Sequence, residues 1–258
     1  MHLRVQRFDS LDSTSEEAFR QLAAGTAGHG ATFVAERQTK GRGRRGQRWT
    51  TTPGESIALS LIVEPSVAGR TTPLHPALLT MSAGLAVLDV ARACGVTSAR
   101  LKWPNDLLSE GAKLAGILVE SRSLPGQPAP YVVGVGLNVS QTSFPEELRL
   151  ERPVTSLRLC GSETDLAHAL EQLQAALAIR LETALSPQDP QPIETEFLAG
   201  LGLARGDTIE IGFHGDQPPR RGTLEDFSLN SGITLRDPNL STPIEHVASL
   251  TKLSSAIG

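Results

Sequence analysis

Residues 40–49 of this 258-residue chain, KGRGRRGQRW, carry five cationic side chains, three glycines and one tryptophan, with no acidic residue. Glycine at every second or third position gives a mobile backbone that can approach a ligand closely, so this basic segment is predicted to be a loop. Arginine supplies planar, permanently charged groups that suit carboxylate and phosphate oxygens. Taken alone, such a run favours a solvated loop or a nonspecific nucleic-acid contact over a built anion site.

The composition of the whole chain changes that balance. With 24 Lys and Arg against 28 Asp and Glu, the net charge is −4. A protein that mainly coats nucleic acid is basic, so the local positive charge points instead to a small anionic ligand. Six scattered histidines show no metal-ligand spacing, and Cys94 and Cys160 form no motif, so we expect reduced thiols and no structural metal. The absence of a signal peptide and of any stretch approaching membrane-spanning length predicts a cytoplasmic protein without membrane contact.

Five apolar segments predict strands on both sides of the basic loop. The last of them places Gly134 and Gly136 on one face, by the two-residue alternation of a strand. Interior glycine weakens a strand unless something must approach the backbone there. The pattern therefore predicts either a face left open for a ligand or a barrel-like bend. The predicted strands span residues 31–36, 56–63, 99–103, 113–120 and 131–139, with a Pro-Asn-Asp turn at residues 104–106.

Helices are predicted from capping and periodicity. Thr14 and Glu17 have the spacing of a capping box, which predicts a helix that begins there. Pro73 and Pro76 open a helix predicted from about Leu74 to Ala93, and its almost wholly apolar surface predicts burial on most faces. A long amphipathic helix is predicted over residues 163–184, and a short one passes through residues 197 and 198.

Beyond Gly206 the predicted strands become short and closely spaced, which is typical of a small β-barrel of about 50 residues. The sequence therefore predicts two domains, residues 1–204 and residues 205–258. The short strands are predicted at residues 208–213, 220–227, 232–235 and 243–247.

Four segments, Gly41–Trp49, Lys102–Asp106 (KWPND), Lys113–Glu120 (KLAGILVE) and Val133–Asn138 (VGVGLN), carry a resemblance to a known family. In this order and spacing they closely resemble the biotin–protein ligases, over roughly residues 8–250. The resemblance implies an α+β fold. A class II synthetase-like catalytic domain of the biotin–lipoyl ligase type, with helices on one side of a mixed sheet, would precede an SH3-like β-barrel.

The resemblance also implies a two-step reaction. Biotin and MgATP give biotinyl-5′-AMP and pyrophosphate, and the acyl group then passes to a lysine of a biotin carboxyl carrier protein, such as that of acetyl-CoA carboxylase. The residue types suit this chemistry, because joining two anions requires dense, fixed positive charge and the chain has no P-loop sequence to supply it. A glycine-rich loop that folds over the mixed anhydride would shield it from water. Magnesium is expected to be held largely by phosphates and water, so no protein ligand is assigned.

Residue by residue, the resemblance implies three catalytic side chains. Lys113 matches the lysine that bridges the biotin carboxylate and the α-phosphate, Arg44 belongs to the covering loop, and Asp106 would orient the incoming lysine amine or accept its proton. Gln47 departs from the family pattern, in which arginine or lysine is frequent. The implied biotin contacts are Ser13, Thr14, Ser15, Gln38, Gly41, Arg42, Gly43, Arg44, Lys113 and Gly116, and the implied ATP contacts are Arg44, Trp49, Asn105, Lys113 and Asn138.

The residues themselves allow plainer interpretations. Ser13 and Thr14 are adequate as helix caps alone, and Asp106 could simply stabilise a turn. Trp103 is expected in the core rather than under a ligand. Lys113 has the weakest plain interpretation, because a lysine that opens an apolar run must point somewhere useful or snorkel to solvent.

Two rival functions follow from the same sequence. A lipoate–protein ligase or octanoyl transferase is a related acyl-transfer enzyme, and a nucleic-acid-binding module could use the basic loop. The second predicts aromatic stacking platforms, whereas the chain is only 4% aromatic. The resemblance begins within ten residues of Met1, so we expect a ligase without the DNA-binding domain of some family members and with no nucleic-acid partner. Homodimers are common in the family, so a homodimer is among the expected states.

Overall fold

The computed structural model describes residues 1–67, 74–123, 129–186, 189–213, 215, 217–229, 232–236, 247 and 249–253, apart from the side chain of Glu151. The first seven strands form one sheet, and the last four form a second. In chain order the elements are β1 (Arg4–Leu11), α1 (Thr14–Ala23), β2 (Ala31–Gln38), β3 (Ser56–Val63), α2 (Pro76–Ala93), β4 (Ala99–Lys102), β5 (Asp106–Ser109), β6 (Ala112–Ser121), β7 (Tyr131–Asn138), α3 (Glu146–Glu151), α4 (Leu166–Leu185), α5 (Gln191–Gly200), β8 (Thr208–Gly212), β9 (Arg220–Ser228), β10 (Gly232–Arg236) and β11 (Ser249–Lys252).

The large sheet has the strand order β1-β2-β3-β7-β6-β5-β4. Its first pair, β1 and β2, is parallel, and the other neighbours are antiparallel, so the predicted mixed sheet is confirmed. The predicted strand at residues 56–63 matches β3, and the other predicted strands agree with theirs to within two residues. The predicted turn at residues 104–106 is partly wrong, because Asp106 already pairs with Gly116 as the first residue of β5.

Helices cover both faces of this sheet, so the prediction of helices on one side is wrong. Alternate residues of β3, including Leu59 and Leu61, pack in the main core with α2, α4 and α5. Ile62 points the other way and packs with Phe19 and Leu22 of α1 in a second core. The two-residue alternation of a buried strand supplies both cores from one segment. The second face is only partly covered, and it carries the candidate site.

Helix α2 forms the centre of the main core. It begins at Pro76, with the ring of His75 accepting a hydrogen bond from the Ala77 N–H at 3.2 Å. The predicted start at Leu74 is two residues early, and Pro73 lies outside the described residues. By length and composition α2 could span a membrane, contrary to the sequence prediction that no stretch approaches that length. Two thirds of it is buried within the fold, however, and its neighbours are sheet and helices.

The second sheet has the order β10-β9-β8-β11, as expected for a small β appendage. Of the predicted strand at 243–247, residues 243–246 lie outside the described residues, and β11 follows it at residues that were not predicted as a strand. Trp103 joins the two sheets. Its ring lies 6.3 Å from that of Phe197 and 5.9 Å from that of Phe227, and its N–H donates to the Val247 carbonyl, so Trp103 packs against the main core and stays partly exposed. The predicted boundary at residues 204 and 205 falls between α5 and β8 and stays a prediction.

Candidate functional site

A cavity of about 280 Å3 opens on the face of the large sheet that carries α1. Its volume is close to the lower end of the range for small-molecule sites. Gly134 and Gly136 line it, as a strand face left open requires, but the Trp49 ring lies over Gly136 and the ligand contact stays a prediction. Gly41 and Asn138 lie beside the cavity rather than in its lining. Twelve predicted site residues do line it: Ser13, Thr14, Ser15, Gln38, Arg42, Gly43, Arg44, Trp49, Asn105, Asp106, Lys113 and Gly116.

One wall of the cavity is a buried cluster of hydroxyl groups. The hydroxyl oxygens of Thr14 and Ser15 lie 2.7 and 3.0 Å from that of Ser60 on β3. The side-chain carbonyl of Gln38 accepts hydrogen bonds from both the backbone N–H and the hydroxyl of Thr14, at 2.8 and 3.1 Å. These contacts leave lone pairs on the hydroxyl oxygens and the two N–H donors of the Gln38 amide unused, which suits an uncharged polar end of a ligand.

The same contacts correct the predicted capping box. Ser13, not Thr14, precedes the first residue of α1, and its side chain makes no capping hydrogen bond. The Thr14 hydroxyl is bonded to Gln38 and Ser60, and the Glu17 carboxylate is bonded to Arg20. Tertiary partners have therefore replaced the local cap, and Thr14 and Ser15 are turned towards the cavity.

The basic loop folds back on itself as a narrow hairpin. The Gly43 N–H donates to the Gln47 carbonyl at 2.8 Å, and the Trp49 N–H donates to the Gly41 carbonyl at 3.1 Å. A β-carbon on Gly41 would lie 2.1 Å from the Trp49 carbonyl oxygen, so glycine is required for this close approach. The hairpin returns Trp49 to the sheet, and Gly41 holds the loop together instead of lining the cavity.

Trp49 lies directly over the backbone of β7. A β-carbon on Gly136 would lie 2.2 Å from the indole ring, so the absence of a side chain at this position makes room for the tryptophan. The Lys113 ammonium lies 5.9 Å from the ring centroid, within range of a cation–π interaction. The indole therefore provides a flat aromatic wall beside a cationic group, which suits a planar base attached to an anion.

Lys113 and Asp106 form an ion pair in the cavity, with the ammonium 2.5 Å from the carboxylate. A bulge in the pairing of β5 with β6, between Leu107 and Leu108, brings the two residues to the same side. Such bulges re-aim side chains at functional sites. Lys113 is buried, and this burial lowers its pKa. The nearby Asp106 carboxylate opposes that shift.

The arginines of the loop have different partners. Arg42 forms ion pairs with Glu16 and Glu120, so two carboxylates already balance its charge. Arg44 remains largely exposed and donates one hydrogen bond to the Asn105 side chain at 3.2 Å. The acidic partners of Arg42 were not predicted, because no local pattern links residues so distant in sequence.

Asn138 takes a structural position beside the cavity. Its amide donates to the Thr155 carbonyl at 2.9 Å and accepts from the Gln141 side chain at 3.2 Å. A second cavity of about 20 Å3 lies next to it and is also lined by Trp49 and Lys113. The ATP contact predicted for Asn138 stays a prediction, and this side chain also fixes the segment that follows β7.

The cavity as a whole is strongly cationic. Among the described residues that line it, Asp106 is the single carboxylate. No group of three or more His, Cys, Asp or Glu side chains in the described part of the chain could hold a metal ion. The arrangement favours a ligand with several negative charges. The cationic lining residues are Arg42, Arg44, Arg45, Arg48, Lys113 and Arg152.

Several known proteins are similar to this chain in sequence and in fold. A family model described as the biotin/lipoate A/B protein ligase family matches residues 8–138. The biotin–acetyl-CoA-carboxylase ligase of Paracoccus denitrificans is 36% identical over 229 residues, which cover 86% of this chain and 87% of that protein. The bifunctional ligase/repressor BirA of Bacillus spizizenii is 35% identical over 175 residues, 67% of this chain and 51% of its own length. The chain thus matches about half the length of the bifunctional relatives.

A solved structure supports the fold independently. The biotin protein ligase of Aquifex aeolicus, crystallised with biotin and ATP, is 23% identical and superposes with a TM-score of 0.69. The superposition covers 97% of this chain and 95% of the Aquifex chain, so it includes the second sheet. The predicted fold class, an α+β catalytic unit followed by a small SH3-like β unit, is confirmed.

Proposed function

The chain belongs to the biotin/lipoate A/B protein ligase family, and on that premise we propose that it biotinylates a carrier protein at the expense of ATP. The observation that carries this proposal is the shared cavity. A buried lysine ammonium, uncharged hydroxyl groups and an aromatic wall meet there on an open sheet face. These are the groups needed to hold a carboxylate, a neutral polar ring system and a nucleotide next to one another.

In the proposed first step, an oxygen of the biotin carboxylate attacks the α-phosphorus of ATP. The acyl–oxygen–phosphorus bond forms as the bond to the β-phosphate oxygen breaks, and pyrophosphate leaves. Lys113 lies where it can hold both anions, because it lines the same cavity as the buried hydroxyl groups and its ammonium lies near the Trp49 ring. Fixed positive charge stabilises the charge that develops on the transferring phosphoryl group.

In the proposed second step, the ε-amine of an acceptor lysine attacks the carbonyl carbon of biotinyl-AMP. The carbon–nitrogen bond forms, AMP leaves with the bonding electron pair, and the amine loses a proton. Asp106 is the lining carboxylate among the described residues and can orient that amine or take its proton. The acceptor that we propose is a biotin carboxyl carrier protein, such as that of acetyl-CoA carboxylase.

Magnesium is proposed to arrive with the nucleotide. The lining carboxylate, Asp106, is already paired with Lys113, and the described side chains offer no cluster of metal ligands. Magnesium keeps several waters and is commonly bound through substrate phosphates, so few protein ligands are needed.

Biotin-dependent ATP–pyrophosphate exchange tests the proposed function. The purified protein with MgATP and labelled pyrophosphate is expected to exchange label in the presence of biotin, because adenylation is reversible. Lipoate and octanoate are the matched acids, since the family model covers both biotin and lipoate ligases. Exchange with lipoate or octanoate in place of biotin would keep the family and change the substrate. Folded protein that exchanges with none of the three acids would contradict the proposal.

Asp106→Asn is expected to shift the alkaline limb of the pH profile of the exchange rate to lower pH. The Asp106 carboxylate raises the pKa of Lys113 against the effect of burial, so its removal lowers that pKa further. The ammonium is charged only below its pKa, and the charge is then lost earlier as pH rises. The exchange assay measures adenylation alone, so any role of Asp106 in the attack of the acceptor amine does not affect the measured rate. Asp89→Asn, a matched change at an ion pair on α2, should leave the pH profile in place.

A further inference from the structure

Arg152 lines the cavity although it lies in none of the four sequence segments that carry the family resemblance. It follows α3 and lines both the main cavity and the smaller cavity that also borders Trp49, Lys113 and Asn138. Thr14, Ser15 and Gln38, which form the hydroxyl wall, do not border the smaller cavity. Arg152 therefore lies on the side of the site that is proposed to hold the nucleotide.

The backbone next to Arg152 is fixed to Lys113. The Lys113 N–H donates to the Pro153 carbonyl and the Thr155 N–H donates to the Lys113 carbonyl, both at 2.9 Å. The buried amide of Asn138 adds a hydrogen bond to the Thr155 carbonyl. Two strands and a loop thus hold position 152 beside the catalytic lysine, which is the kind of support that a positioned ligand contact requires.

Among the described residues, little compensates the charge of the Arg152 guanidinium. Its Nε is buried and has no hydrogen-bond partner in the described part of the chain, and one Nη donates to the Gln47 side chain at 3.3 Å. None of the described carboxylates forms an ion pair with it, whereas Arg42 and Arg180 each have two. Its charge also contributes to lowering the pKa of Lys113.

Lys113 and Arg152 are therefore two cations that line one cavity, and Asp106 is ion-paired with the first of them. A buried donor without a partner costs free energy, and like charges at close range cost more. An anion bound between Lys113 and Arg152 would remove both costs. The planar guanidinium can donate two parallel hydrogen bonds, an arrangement that matches phosphate oxygens.

We propose that Arg152 binds the phosphate chain of ATP, as a second fixed cation beside Lys113. The proposal rests on the proposed function, because it takes the phosphate to be that of the adenylated nucleotide. Arg152 also contacts the basic loop, through its hydrogen bond to the Gln47 side chain.

Arg152→Gln tests this role in the exchange assay, with KM measured separately for ATP and for biotin. Loss of one charge-assisted contact is expected to raise the KM for ATP by roughly tenfold or more, with the KM for biotin unchanged. Arg152→Lys keeps the charge but loses the paired hydrogen bonds of the guanidinium, so it is expected to recover only part of that loss. Arg149→Gln is the matched control, since Arg149 is exposed on α3 three residues earlier.

The melting temperature separates binding from folding. Arg152→Gln with a normal KM for ATP would overturn the proposal. So would an equal rise in both KM values accompanied by a lower melting temperature, or an Arg152→Lys variant as impaired as Arg152→Gln. Wild-type protein that exchanges with none of the acids would instead overturn the proposed function itself. If the wild type exchanges normally and Arg152→Gln is unimpaired, the role of Arg152 is rejected and the proposed function stands.

Discussion

Lys113→Met should lower the rate of biotin-dependent ATP–pyrophosphate exchange by about a hundred- to a thousandfold, the usual effect of removing a preorganised group that stabilises charge in the transition state. Methionine keeps the length and volume of the buried side chain and removes only the ammonium. Because Lys113 is proposed to stabilise the charge that develops as the two anions react, we expect the loss mainly in kcat rather than in the KM of either substrate. Steady-state exchange at varied ATP and biotin would measure the two separately.

Folding should survive this substitution. Lys113 is buried and its pKa is lowered, so removing its charge relieves a desolvation cost. Its partner Asp106 keeps some contact with solvent and lies near the positive charge of Arg44. Lys102→Met is the matched control, because Lys102 is an exposed lysine on β4, two strands away from β6 in the same sheet. Exchange by Lys113→Met at close to the wild-type rate would remove the lysine from the mechanism.

The buried strands of the large sheet were predictable, because a continuous run of apolar residues indicates burial directly. The segment 56–63 has every residue buried, and its predicted bounds match β3. β1 was missed because it is an edge strand with largely exposed residues, and its sequence RVQRFDSL shows no apolar run. β5 was missed because a proline and an asparagine precede it, and those residues are typical of a turn. The first error concerns a strand that pairs with β2, 27 positions along the chain, and the second a strand that forms local hairpins with β4 and β6.

The site was predictable where a motif carried it. The basic loop, Lys113 and the glycines of β7 could be connected from their order along the chain, and the structure brings them into one cavity. The capping role predicted for Thr14 was wrong, because its hydroxyl bonds to Ser60, 46 positions away, and not to its own helix. Arg152 was not found. It lies in a polar segment without periodicity, and only the pairing of residues 153–155 with Lys113 brings it into the site.

Gly136→Ala should displace Trp49 and impair nucleotide use. The added methyl group would lie 2.2 Å from the indole ring, and β7 is a central strand that cannot move aside. Overpacking of this kind costs about 1–3 kcal/mol in the free energy of unfolding. Loss of an aromatic contact to a base weakens binding by about 1–3 kcal/mol, so we expect the KM for ATP to rise by roughly five- to a hundred-and-fiftyfold. Thermal melting and exchange kinetics measure the two effects.

Gly134→Ala provides a graded comparison on the same strand and face. There the methyl group would lie 3.2 Å from the Ser15 hydroxyl, a contact that a small side-chain movement can relieve. We expect a smaller loss of stability than at Gly136 and little change in the KM for ATP. If the two variants were equally unstable, loss of glycine from β7 would be the cause rather than contact with Trp49.

A double-mutant cycle with Trp49→Ala decides between these causes. With the indole removed, the methyl group of Gly136→Ala has no ring to meet, so its added cost in stability should fall close to zero. Trp49→Ala alone should reproduce the rise in the KM for ATP, and the double variant should be no worse. Additive effects on both stability and KM would mean that Gly136 and Trp49 act separately. The absence of a side chain at Gly136 would then not be explained by contact with the tryptophan ring.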